Sequence, residues 1–279
     1  MSIGVDYSTL VACRSLGGNP EIASRGWLHA FSCEMFSNMV KVKLISEGNI
    51  IYELKKEKIV GWKSQLFEVL STIDEHPLIA DSDTLDWGYS DTNLLNNLPA
   101  QNQGISTPNA DITIYLLDVR IEDNYISRVL PRNQILLTFY QVKEILRKER
   151  IPLENLLLTH IYYYVILYRI KQGAWLSPSD EMQMSHDAAR GCLFDFCGEK
   201  EDCVRSCVSP ILCPSCIAHL QEHGLPINEV EQVQRELKRI RRTFYDSVCL
   251  FLNRHPYLSL LLSLAVSFTI SIIANIIMK

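Results

Sequence analysis

The sequence has no excess of basic charge: Lys and Arg number 27 against 32 Asp and Glu, a formal net charge of -5 over 279 residues. Nucleic-acid backbones are held by basic faces, so nucleic acid is excluded as a principal partner. The chain also lacks a glycine-rich phosphate loop, a nucleophile elbow and a paired-carboxylate motif, which removes the commonest signatures of phosphate binding and hydrolysis. Its N-terminus, MSIGVDYSTLVACRSLGG, does not have the charged, apolar and small-residue order of a signal peptide. That argues against an oxidising compartment, and so against disulfides. Long uncharged apolar runs are scarce, with a single one of membrane length near the C-terminus. The 47% apolar content still suffices for a packed core in one large or two modest domains.

Cysteine is what the chain has in concentration. Six of nine lie between His186 and Cys216, as Cys192, Cys197, Cys203, Cys207, Cys213 and Cys216, while Cys13, Cys33 and Cys249 stand apart. The Cys213-Pro-Ser-Cys216 knuckle sets two thiols on one side of a tight turn, which is half of a tetrahedral zinc site. The other half can be drawn in two ways. Cys192 with Cys197 gives a four-cysteine site, and His186 with Cys192 gives one histidine and three cysteines. Either way the expected cofactor is a structural zinc. Asp187 and Asp195 nearby read first as surface charges.

In chain order, residues 39–56 alternate apolar and polar side chains around Glu47-Gly48-Asn49, the pattern of a two-stranded hairpin. Trp62, Leu66, Val69, Leu70 and Ile73 form one face of an expected helix over 62–73. Residues 80–110 turn polar and acidic, a loop and candidate domain boundary; Asp81, Asp83, Asp86 and Asp91 lack the spacing of a calcium loop. A strand is expected at 112–117, and 135–141 reads as a strand or as the opening of a helix through Ile145 and Leu146. The run 154–170 is too short for a comfortable span and carries His160, so it reads as a buried helix with a hydrogen-bonded histidine.

A helix carrying a histidine, followed by Cys192-x4-Cys197, a spacer and Cys213-x2-Cys216, resembles the archaemetzincin-type zinc peptidases over residues 111–220. It also resembles degenerate bacterial relatives in which a histidine and a Gly-Cys-Leu-Phe-Asp segment precede the knuckle, here His186 and Gly191 to Asp195. A catalytic site of that kind needs His-Glu-x-x-His, two ligands and a general base on one helical face. The corresponding stretch here is His160-Ile-Tyr-Tyr-Tyr164, with one histidine and no base. The resemblance therefore implies a peptidase-derived scaffold that keeps a structural zinc. Its relatives suggest His186 as fourth ligand, its peptidases Cys197, and defence-associated bacterial proteins share its plan.

After Pro226 a helix is expected with Asn228 as N-cap and Val230, Val233, Leu237, Ile240, Phe244 and Phe251 in heptad register. A rival catalytic metal would use His160 with ligands supplied from elsewhere, such as His219 or His223, which are spaced i,i+4. Beyond Pro256, residues 258–278 carry no charge, and at about 1.5 Å per residue they reach about 30 Å, the thickness of a bilayer core. Lys238, Arg239, Arg241, Arg242 and Arg254 precede this span and place the bulk of the chain on the cytoplasmic side. Within it Ser259, Ser263, Ser267, Ser271 and Asn275 recur every four residues, a small polar stripe of the kind helices present to one another.

The sequence as a whole implies an α+β chain in four parts. These are an N-terminal region (1–105), a zinc-binding domain (106–225), a juxtamembrane helix (228–255) and a transmembrane helix (257–278). The function it implies is that of a tail-anchored, self-associating membrane protein, an effector of the antiviral defence type that perturbs the bilayer when assembled. Its partners would be lipid and further copies of itself. A tethered metal-dependent hydrolase and a membrane scaffold are the alternatives.

Overall fold

The structure, a computed structural model, describes residues 39–77, 90, 94, 110–187 and 191–277, except for the side chains of Leu250 and Ser259. The aspartates of the acidic stretch, together with Cys13 and Cys33, lie outside these residues. One five-stranded sheet organises the rest, in the order β2-β1-β3-β5-β4. Its strands are β1 (Val40–Glu47), β2 (Phe67–His76), β3 (Ile112–Leu117), β4 (Ser127–Leu130) and β5 (Gln134–Thr138). β1 pairs in parallel with β2 and β3, and β3 with β5, while β4 closes one edge antiparallel to β5.

The chain mixes helix and strand as the sequence implies, but two expectations for residues 39–73 fail. The hairpin over 39–56 does not form. β1 finds its partners from residue 67 and residue 112 onward, and Ile50–Glu53 is a 3-10 turn. The expected helix at 62–73 is largely β2, preceded by the short helix α1 (Lys56–Val60). Phe67 and Val69 are buried at a two-residue spacing that the apolar residues of this run satisfy as readily as a helical one. Strands on both sides of the 80–110 stretch belong to the same sheet.

Parallel strands bury both faces, which is why ITIYLL in β3 reads as a continuous apolar run. On one face Val42, Leu44, Ile114, Leu116, Ile135 and Leu137 pack with helix α3 (Leu153–Ile170). On the other, Ile45, Tyr115, Leu117, Leu130 and Leu136 form a smaller cluster with Ile121 and Leu94. Lys43, set among apolar neighbours, directs its ammonium onto Thr72 O, Thr72 Oγ1 and Asp74 Oδ1 at 3.0, 2.9 and 2.9 Å.

After β5 come α2 (Val142–Lys148), α3 and α4 (Pro178–Met184), and then the short α5 (Cys203–Val208) and α6 (Pro214–Glu222). The expected continuous helix over 228–255 is two helices, α7 (Ile227–Leu237) and α8 (Phe244–Arg254). Pro226, not Asn228, occupies the N-cap of α7. A new start is built at Thr243, whose hydroxyl oxygen accepts from Asp246 N at 3.1 Å. Val230, Val233, Leu237 and Ile240 are buried in the domain core, whereas Phe244 and Phe251 are exposed. The heptad register is therefore divided between two environments. The last element, α9 (Pro256–Ile277), is exposed along its described length.

Glu47 ends β1 with only 3% of its surface exposed, and its Oε1 has no hydrogen-bond partner. Burial raises its pKa from 4.5 to about 7. Between these values the unfolded chain ionises before the folded one, so stability falls as pH rises and the penalty is complete above pH 7. Glu47→Gln removes it. Thermal unfolding should show the variant more stable by up to about 3 kcal/mol near pH 8 and equal to the parent near pH 4.

Candidate metal centre

The segment between α4 and α6 has little regular structure, and its shape is set by short backbone exchanges. His186 N donates to Phe194 O at 3.1 Å and Phe196 N donates to His186 O at 2.9 Å, so 194–196 runs beside His186. Leu193 N donates to Ile211 O at 2.7 Å and Ile211 N to Gly191 O at 3.0 Å, which fixes Cys192 beside the approach to the knuckle. Gly191 has φ +86°, in the left-handed region that a side chain resists, so the turn into Cys192 needs glycine. Cys213 then caps α6, Pro214 opens it, and Cys216 sits in its first turn.

These turns bring His186, Cys192, Cys213 and Cys216 together, with one ligand atom of each lying within 4.8 Å of the others. Cys192 Sγ is 3.7 Å from Cys216 Sγ, and Cys213 Sγ is 3.5 Å from His186 Nε2. The three cysteines are buried and His186 is partly exposed. Such a group could hold a metal ion.

The electrostatics of the bare thiols reflect their crowding. Cys192 is drawn down to about 5, chiefly by the hydrogen bond from the Cys216 thiol; burial opposes this, and the amides of Phe194 and Cys213 and the His186 ring assist it. Cys216 is pushed far above the ordinary thiol range, first by Cys192 and then by burial. One sulfur takes the negative charge and its neighbour keeps the proton, because adjacent anions repel in a site shielded from water.

Asp195 is more than the surface charge its sequence context suggests. Its side chain is 1% exposed, and Oδ2 accepts from Gly191 N at 2.6 Å and Cys192 N at 2.9 Å. Oδ1 lies 3.4 Å from His186 Nδ1. With Nε2 toward the cysteines, this carboxylate faces the ring's other nitrogen at ion-pair distance, the place that the outer partners of histidine ligands take. The one signal for it in the sequence is its place three residues after Cys192, in reach of the turn's amides. Asp187, by contrast, is exposed, as expected.

The remaining candidates lie elsewhere. Cys197 is outside the group: the chain has passed His186 by then, and its Sγ lies 3.7 Å from Asp195 O. Burial, followed by Cys203, raises its pKa to about 12. Cys203 and Cys207 are buried in α5; the Cys203 thiol donates to Lys200 O at 2.9 Å and Asn155 Nδ2 of α3 donates to Cys207 O at 2.9 Å. His223 Nδ1 donates to His219 O at 2.9 Å at the exposed end of α6, and neither ring joins a metal-ligating group among the described residues. The basic residues are divided. Arg239 lies over the Trp62 ring and donates to Lys63 O, while Arg242 and Arg254 reach Glu149. Lys238 and Arg241 are exposed.

Two substitutions separate these roles. Cys197→Ser should leave the metal stoichiometry of the purified chain unchanged, whereas Asp195→Asn should lower metal affinity about 10- to 100-fold in a chelator competition.

No protein-family model, curated protein or solved structure matches this chain.

Proposed function

We propose that the chain is a tail-anchored membrane protein whose soluble part is held together by a structural zinc and which acts by self-association at the bilayer. The observation that carries this reading is α9. It is 22 residues long, apolar enough to cross a membrane, and has no buried residue in its apolar window. A helix apolar all round and exposed in water would be an aggregation liability; in lipid it is solvated, with its backbone bonds satisfied internally.

Support for zinc comes from the donor set and its spacing. Three thiolates and one imidazole are a standard zinc complement. Zn–S bonds of about 2.3 Å and Zn–N bonds of about 2.0–2.1 Å put two sulfurs of a tetrahedron about 3.7 Å apart and a sulfur and nitrogen about 3.5 Å apart. The separations of 3.7 Å for Cys192–Cys216 and 3.5 Å for Cys213–His186 match these edges. Four protein ligands leave no open position, so the ion's role is to hold the 186–216 segment in place, and no catalytic step is assigned to it.

At the membrane, α8 exposes Phe244, Tyr245, Val248, Phe251 and Leu252 directly before the span. An amphipathic helix there lies at the headgroup level, with the flanking basic residues favouring the cytoplasmic leaflet. Within α9, Ser267 Oγ donates to Ser263 O at 2.9 Å and Thr269 Oγ1 to Val266 O at 2.8 Å. Hydroxyls bonded back to their own helix are satisfied in lipid and leave a narrow surface on which copies pack closely.

Full-length protein in detergent should appear in native mass spectrometry as a discrete oligomer with one zinc per subunit, and should release dye from liposomes. Changing Ser263, Ser267 and Ser271 together to Leu should reduce the oligomer to monomer and abolish release while zinc content stays the same. Monomeric parent protein, or unchanged release in the triple variant, would reject self-association through this stripe.

A further inference from the structure

Apart from the cysteine cluster, a cavity of ≈ 200 Å³ opens beside α3, between α4, the Tyr125–Arg128 segment leading into β4 and the 193–197 loop. Drug-sized pockets run to about 300–1,000 Å³, and an apolar cavity of about 150 Å³ already admits benzene, so this volume suits a molecule of one or two fused rings. Its walls suit one as well: Tyr125, Tyr163 and Phe196 line it. The Tyr163 ring is held edge-on against Tyr164 at 4.9 Å and tilted against Phe194 at 5.2 Å.

His160 supplies the directional group. Its Nδ1 is 2.8 Å from Leu156 O, and a carbonyl can only accept, so Nδ1 carries the proton and Nε2 keeps its lone pair. Burial lowers the ring's pKa to about 4, so at neutral pH it stays uncharged. Among the described residues Nε2 finds no hydrogen-bond partner, although the ring lines the cavity. Three charged groups around it have contacts of their own. Glu181 Oε1 accepts from Tyr164 O–H at 2.7 Å, Asp195 holds the Cys192 turn, and the Arg128 guanidinium lies 5.0 Å from the Tyr125 ring centroid.

This chemistry favours binding over reaction. A histidine whose pKa burial lowers to about 4 is a weak base at neutral pH, and burial raises the pKa of Cys197, which also lines the cavity. Two carboxylates in the walls disfavour an anion. What the cavity offers is one neutral imidazole nitrogen as acceptor, flanked by aromatic faces. We propose that this cavity binds a small, neutral, planar heteroaromatic molecule that donates an N–H to His160 Nε2. The proposal stands independently of the membrane and zinc readings.

Benzimidazole and 1-methylbenzimidazole differ by the one donor in question. Each would be titrated calorimetrically into the full-length chain in lipid nanodiscs at neutral pH, with empty nanodiscs as blank so that partitioning into lipid is subtracted. Benzimidazole should bind saturably at one site per chain, with the methylated compound weaker by at least about tenfold, the cost of one unmade buried hydrogen bond. In His160→Phe, which keeps a ring beside Tyr164 and removes the acceptor, the two compounds should bind alike. Absence of saturable benzimidazole binding, or equal binding of the two compounds by the parent chain, would overturn the proposal without recourse to any variant. Tenfold discrimination persisting in a folded His160→Phe would overturn the role of His160.

Discussion

Three sulfurs and one imidazole nitrogen within 4.8 Å of one another cannot all take the charge state their neighbours would allow them alone. In the bare cluster the Cys192 pKa is drawn down by Cys216 and that of Cys216 is pushed up by Cys192. A divalent cation resolves the conflict for all three, because every thiolate then faces positive charge. Between α4 and α6 there are few long elements, so a metal held by His186, Cys192 and the knuckle would cross-link a segment that otherwise rests on Leu193, Phe194 and Leu212 packed into the main core.

The segment is not isolated from the rest of the fold. Asn155 and Thr159 on α3 bond to the carbonyls of Cys207 and Ser206, so the helix that covers the sheet also supports the cysteine-rich region. Buried charges join α3 to α7. Arg169 makes a two-pronged pair with Glu229 at 2.9 and 3.1 Å. Glu236 of α7, 3% exposed, accepts from Ser64 Oγ, Gln65 N, Tyr162 O–H and Gln232 Nε2 at 2.6 to 2.9 Å. A carboxylate so fully paired is retained in the interior because each donor offsets its desolvation; removing the acceptor would orphan four donors at once. His160 belongs to the same helix, so α3 meets the sheet, α5, α7 and the cavity.

The boundary between this body and the exposed C-terminal helices falls at Thr243. Upstream, Leu237 and Ile240 are buried; downstream, Phe244 and Tyr245 are among the most exposed aromatic residues. The helix cap at Thr243 lets the chain leave the core and begin again without unsatisfied amides.

What the sequence determined by itself rests on local pattern. Cys-x2-Cys spacing fixes two thiols on one turn whatever surrounds it, and twenty-one uncharged residues in a row dictate a helix that water does not solvate. The buried helix at 154–170 was legible for the same reason, since its run is long enough for period and length to agree. The run over 62–73 was not, because a short apolar segment satisfies both helical and strand spacing. The pairing of β1 with strands that begin 27 and 72 residues after its own start is invisible to any local reading. Tertiary structure alone decided that His186, and not Cys197, joins the three cysteines, and that Asp195 stands behind it. The physical reason is distance through space: one turn of backbone at Gly191 and two bonds to Ile211 select the partners, and sequence spacing leaves both open.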